Sequence, residues 1–378
     1  MKQRSSRKLL ILLFAAFALI LASCASSDDD GGGSGSEPSD GGSSSEAAAT
    51  CQGEPGETQE PSDLGGDGEA PDGAGLKVGL VFDIGGKDDK SFNESAYNGL
   101  VAAEENMGIE GTELEPNADG SNREELLRQA ADSGSDLVIG VGFNFFDPMT
   151  AVAADFPDTK FAIVDSVVEA DNVASITFAE EQGSFLVGAI AAQSTQSDTI
   201  GFVGGVETDL IKKFEAGFTA GVEEVNADAS VEVKYLTPDG DFSGFNDSAK
   251  GKTVASGLYD AGADVIFHAA GGSGAGVFDA AAEADRLAIG VDSDQYFQVD
   301  EAEQECMLSS MLKRVDVGVY DTIAALASDE FEAGVQVFDL ANGGIDYSMA
   351  GGQVKDQAQI DDLKQQIIDG DITVPTEP

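Results

Sequence analysis

The sequence predicts an α/β protein of two doubly wound lobes joined by a hinge. Three observations carry that expectation. From residue 77 onward short apolar runs alternate with helix-period segments, and such alternation implies parallel sheets covered on both faces. The alternation runs twice in tandem, a first series ending near 195 and a second starting at Thr199, each about the size of one domain. Hydrophobic residues make up 42% of the 378, so there is material for a core despite 70 acidic against 20 basic residues and a formal charge of −50.

Taken in order, the apolar runs lie at 77–83, 136–142, 160–165, 199–206, 264–270 and 287–292, each ending in polar or glycine residues. Helix-period segments fall at about 91–108, 123–134, 181–195, 210–226, 247–262 and 275–285. The pattern weakens over 296–350, where 306–315 and 335–340 read as strands returning across the hinge, and a last helix at about 356–369 closes the chain. The expected organisation is therefore a first lobe over 77–198, completed by returning segments near 306–330. A second lobe over 199–296 is completed near 331–350, and 351–378 form a C-terminal helix and tail.

Ahead of the lobes stand two segments of different texture. Lys2, Arg4, Arg7 and Lys8 precede an uninterrupted apolar run from Leu9 to Leu21, followed by Ala22-Ser23-Cys24. The run is shorter than a membrane span and suits a signal-peptide core. Its ending resembles the lipobox of bacterial-type lipoproteins, which implies removal of residues 1–23 and lipidation of Cys24; a plain secretory signal is the alternative. Two acyl chains would hold the protein at the outer face of the cell membrane. Residues 24–76 are rich in Gly, Ser, Pro, Asp and Glu, with no Lys or Arg over 25–75, and read as a flexible, self-repelling tether. Cys51 lies in this tether and Cys306 in the lobes. An extracytoplasmic setting would let them pair, although a cysteine in a tether gives that pairing little geometric support.

Charge and composition exclude several functions. Nucleic acid is not an expected partner, because phosphates need a basic face. So acidic a surface suits a salty habitat, where self-repulsion is screened. One His and three Cys leave no material for a zinc cluster or a His-rich metal site, and no cofactor, metal or catalytic centre is expected.

Ligands of open α/β sheets sit beyond the carboxyl ends of the strands. That rule gathers Asp83, Asn144, Asp165, Gly271, Gly272 and Asp292, all strand-end residues of one lobe or the other. Any one strand-end Asp is ordinarily a turn former; their joint placement points to a cleft. In the loop after the first strand, Ser91 and Glu94 fit a capping box that starts a helix at Phe92. Phe92 either faces the cleft or belongs to the core with Ala96, Leu100 and Ala103. The glycine-rich run 271–276 lacks a phosphate-binding lysine and suits close approach to a neutral sugar better than a phosphate. His268 reads as buried or at the cleft edge.

The segment 83–99, with Asp88-Asp89-Lys90-Ser91-Phe92-Asn93 at its centre, resembles the signature of the basic membrane protein family of lipoproteins. Further segments match in order at 139–146, 243–252, 269–278, 290–295 and 309–320, so the resemblance covers essentially all of 77–350. That family supplies nucleoside-binding components of ABC transporters, purine nucleoside receptors among them. The resemblance implies the type I periplasmic-binding-protein fold, with a nucleoside held between the lobes and passed to a membrane permease. By motif, Phe92 and Phe245 would sandwich the base, Asp83 and Asn144 would meet its polar edges, and the Gly271-Gly272 backbone, Asp292 and Lys313 would hold the ribose hydroxyls. The working protein is expected to be a monomer. A sugar or other small-metabolite binder on the same fold, possibly sensory, and a nucleoside hydrolase stand as alternatives; the paired Phe residues favour a flat base over a bare sugar, and the scattered acids argue against a hydrolase metal site.

Overall fold

The computed structural model describes residues 49–53, 64 and 70–378. The signal segment, Cys24 and most of the tether lie outside the described residues. Among the described residues no helix is long and apolar enough to cross a membrane.

The first lobe opens with β1 (Lys77–Val81), α1 (Phe92–Met107), β2 (Glu110–Leu114), α2 (Arg123–Asp132), β3 (Leu137–Gly140), α3 (Phe146–Asp155), β4 (Lys160–Val164) and β5 (Val173–Phe178). The second contributes α4 (Glu180–Ser194), β6 (Thr199–Val206), α5 (Asp209–Val225), β7 (Ser230–Thr237), α6 (Ser248–Asp260), β8 (Val265–Ala269), α7 (Ala275–Ala284), β9 (Leu287–Asp292) and α8 (Glu301–Gln304). The remaining elements are β10 (Met307–Lys313), α9 (Val315–Ala327), β11 (Gly334–Phe338), β12 (Ile345–Tyr347) and α10 (Gln357–Ile368). They form two six-stranded sheets, in the orders β11-β5-β4-β3-β1-β2 and β12-β10-β9-β8-β6-β7. Every pairing is parallel except that of β10 with β12. The central strands β3, β8 and β9 are buried along their whole length, as parallel strands covered on both faces must be.

The partition of the returning segments differs from expectation. β10 joins the second sheet, between β9 and β12, while α9 packs on α1 of the first lobe. β11 then returns to the first sheet beside β5, and only β12 belongs to the second. The burial patterns explain the exchange. β10 is buried almost throughout and needs an interior place, whereas β11 alternates between half-buried and exposed positions and suits an edge. The first boundary also moves. α4, expected to close the first lobe, packs on α5 and against β10 and β12, so the chain crosses at Ala179 rather than near 198. A helix buried nearly all round must be sandwiched, and the second lobe supplies both sides. From β1 onward the chain thus changes lobes after β5, after β10 and after β11.

Cys51 and Cys306 form a disulfide. The same short stretch is fixed to the second lobe by Ala49 N donating to Asp264 Oδ2 at 2.9 Å and Gly53 N donating to Glu305 O at 2.9 Å. By Gly73, whose N–H donates to Met107 O at 2.9 Å, the chain lies on the first lobe.

Candidate functional site

The carboxyl ends of the two sheets face each other, and the residues there border one cavity. Asp83, Phe92, Asn144, Phe245, Gly271, Asp292 and Lys313 line it, together with apolar groups that include Leu210, Phe214 and Phe242. Gly272 follows Gly271 in the short turn 271–274 but is not among the lining residues.

On the first-lobe side α1 begins at Phe92, where the sequence put it, but the expected capping box is not formed. Ser91 makes no side-chain cap; the Asp89 carboxylate accepts from the backbone N–H groups of Ser91, Asn93 and Glu94 at 3.0–3.1 Å. Asp89 sits where the positive helix terminus stabilises it, although burial raises its carboxyl above the usual range. Ser91 is thereby freed, and its hydroxyl donates across the cleft to Asp292 Oδ2. Asp83, at the end of β1, accepts from Arg123 Nε at 2.8 Å, from Arg123 Nη2, and from Asn144 Nδ2 at 3.0 Å. The strand-end rule gathered Asp83 and Asn144. It missed Arg123, which stands at the first position of a helix, and Asp89, which reads as one more loop acid.

The other end of the cavity is a buried charge cluster. Lys313 is 2% exposed, and its Nζ lies 2.6 Å from Asp165 Oδ2 and 3.3 Å from Glu180 Oε1. The ammonium also stands over the rings of Phe178, Phe92 and Phe214, 5.0, 5.1 and 5.7 Å from their centroids. Burial alone would push Lys313 down, but Asp165, Glu180 and Asp292 around it hold its pKa above the ordinary lysine value. Burial pushes the Asp292 carboxyl up to about 6, against the opposing pull of Lys313 and the Ser91 hydroxyl, and raises Asp165 as well. Asp165 and Asp292 end corresponding strands of the two lobes with φ of +65° and +64°, a conformation uncommon outside glycine. Glu180, at the start of α4, had no signal in the sequence beyond being an acid near a helix terminus.

The lobes also touch at other points. Gln295 Nε2 donates to Lys90 O at 2.8 Å, Lys90 Nζ donates to Gln298 O at 2.9 Å, and the rings of Phe143 and Phe242 meet edge to face at 5.6 Å. His268 is fully buried, edge to face with Phe278 at 5.0 Å, and burial pushes its pKa down to about 4. It is neutral near pH 7 and lies under the glycine turn rather than in the cavity. Among the described residues no group of His, Cys, Asp or Glu side chains is arranged to hold a metal ion. The site is therefore a cleft with an aromatic ring offered by each lobe, a carboxylate at one end and a charge cluster at the other.

Residues 76–377 match the model of a family described as ABC transporter substrate-binding protein PnrA-like. The chain is 37% identical over 324 residues to the CD4+ T-cell-stimulating antigen of Listeria monocytogenes, covering 80% of this chain and 88% of that protein. It is also 37% identical over 322 residues to the ABC transporter nucleoside-binding protein BmpA of Lactococcus lactis, covering 80% and 89%. Among solved structures, an ABC-transporter solute-binding protein of Aeropyrum pernix superposes with a TM-score of 0.70 at 28% identity, covering 80% of this chain and 93% of that one. The arabinose-binding component of a Shewanella transporter, at 17% identity and a TM-score of 0.54, shares the fold. The architecture is the two-lobed type I periplasmic-binding-protein fold.

Proposed function

Because the chain belongs to the PnrA-like family of ABC-transporter substrate-binding proteins, we propose that its cleft captures a nucleoside, purine in type, and delivers it to a membrane permease. One observation carries this reading: Phe92 of the first lobe and Phe245 of the second line the same cavity. A flat base offers two π-faces, and each stack on an aromatic ring is worth about 1–3 kcal/mol. Asp83 and Asn144 then meet the base edge. At the other end Asp292 accepts from a ribose hydroxyl. The Lys313 ammonium has three hydrogens; Asp165 and Glu180 engage two, and the third is left for the sugar. The Gly271-Gly272 backbone approaches the ribose hydroxyls. The protein works as a monomer held to the outer face of the cell membrane by lipid on Cys24, a reading supported by the charged start and apolar run before that residue.

Thermal unfolding with inosine, hypoxanthine and ribose tests this. Inosine at about 100 times its Kd adds roughly 2.7 kcal/mol of stability and is recovered intact, whereas a hydrolase would release hypoxanthine. Phe92→Ala and Phe245→Ala each weaken inosine binding by about 1–3 kcal/mol in titration calorimetry and leave the fold in place. A shift with pentoses and none with nucleosides would replace this reading with a sugar-binding one.

A further inference from the structure

Arg123 spends its guanidinium on one oxygen of Asp83. Nε and Nη2 both donate to Oδ1, as does the backbone N–H of Ile84 at 2.8 Å. Nη1 donates to Gly120 O at 3.1 Å, and the guanidinium stands 5.8 Å from the centroid of the Phe145 ring, so the arginine is itself held in place. Both side chains of the pair are only 12% exposed. The carboxylate cannot rotate without breaking the Oδ1 contacts.

Oδ2 is therefore the oxygen presented to the cavity. Among the described residues it accepts from Asn144 Nδ2 alone, at 3.0 Å. Gly142 keeps it open: its φ is +115°, and a Cβ there would come within 3.0 Å of Oδ2 and 3.5 Å of the Phe92 ring. A carboxylate oxygen already fed by Asn144 and facing a ligand is an acceptor and asks for a donor.

We propose that Arg123 is a positioning residue that fixes Asp83 with Oδ2 facing the ligand, so that the site selects nucleosides whose base carries an N–H on that edge. This rests on the nucleoside reading of the cleft. A base offering only ring-nitrogen lone pairs sets acceptor against acceptor in a buried place, and sites built to bond a donor reject analogues that lack it.

Titration calorimetry of the full protein with inosine, purine riboside and 1-methylinosine tests the proposal. Purine riboside keeps the sugar and both rings without N1–H or O6, and 1-methylinosine keeps O6 without the N1 hydrogen. The wild type binds inosine roughly 10- to 100-fold more tightly than either analogue, the worth of one hydrogen bond to a charged group. Arg123→Gln weakens inosine by about tenfold or more and the analogues little, so the ratio collapses; a merely structural role would weaken all three alike. Arg123→Lys keeps the charge without the fork and gives an intermediate ratio, and the wild-type comparison stands if Arg123→Gln fails to fold. Equal affinities in the wild type, or equal losses in Arg123→Gln, overturn the proposal and leave the nucleoside reading intact. Binding of none of the three overturns both.

Discussion

Lys313 sets the character of the site at the scale of single residues. A fully buried ammonium needs partners, and it has Asp165 from the first lobe and Glu180 from the second. Removing it leaves those carboxylates buried without their cation, which typically costs 3–5 kcal/mol. Lys313→Met is therefore expected to lose about that much stability without ligand, measured by denaturant unfolding; a loss below about 1 kcal/mol would mean the acids find other donors. Asp292 is different, because its direct partner is the Ser91 hydroxyl. Its carboxyl titrates near 6 in the folded protein and near 3.8 when unfolded. The folded state thus holds the proton more tightly, and the stability gained is full below pH 4 and lost as pH rises through 6. Unliganded wild type should weaken relative to Asp292→Asn between pH 4 and 7, by roughly 3 kcal/mol at most; a pH-independent difference in unfolding free energy would refute the assignment. The strand-end acids were legible because strand termini mark the cleft of any open sheet. Arg123, Asp89 and Glu180 were not, since a charge near a helix start reads the same whether it faces solvent or turns inward.

At the scale of elements, the close approach of α4 and α5 places both ends of the charge cluster's surroundings. α4 starts with Glu180, and α5 carries Phe214 beneath the Lys313 ammonium. The two helices meet through glycines: a Cβ at Gly221 would overlap the Phe185 carbonyl oxygen, and one at Gly217 the Glu181 carbonyl oxygen. Backbone cannot yield as a side-chain tip does, so Gly221→Ala should cost about 1–3 kcal/mol or more. Unfolding at the wild-type temperature would show the helices to be less tightly packed. The apolar runs disclosed most central strands. β2 and β7 escaped because they are edge strands with polar or alternating faces, and β5 because Ala, Ser and Thr interrupt its apolar character. The helix α9 was hidden by a strand-like apolar start at Val315. The exchange of β10 and β11 between sheets is a matter of long-range pairing that no local period records.

At the scale of the whole molecule, a formal charge of −50 repels itself through the solvent. Raising NaCl from about 0.1 M to about 1 M shortens the screening length from about 10 Å to about 3 Å. The Tm should therefore rise with salt, and a Tm that is flat or falling over this range would show that the surface acids are already neutralised by their neighbours. The disulfide distributes another load. Cys51 is bonded to Cys306, and Ala49 and Gly53 are hydrogen-bonded nearby, all on the second lobe. A pull on the chain ahead of Cys51 is thus borne by covalent bonds into that lobe and bypasses the crossings between the lobes. The second lobe takes up tension that arrives through the chain ahead of Cys51, and the cleft between the lobes is spared it.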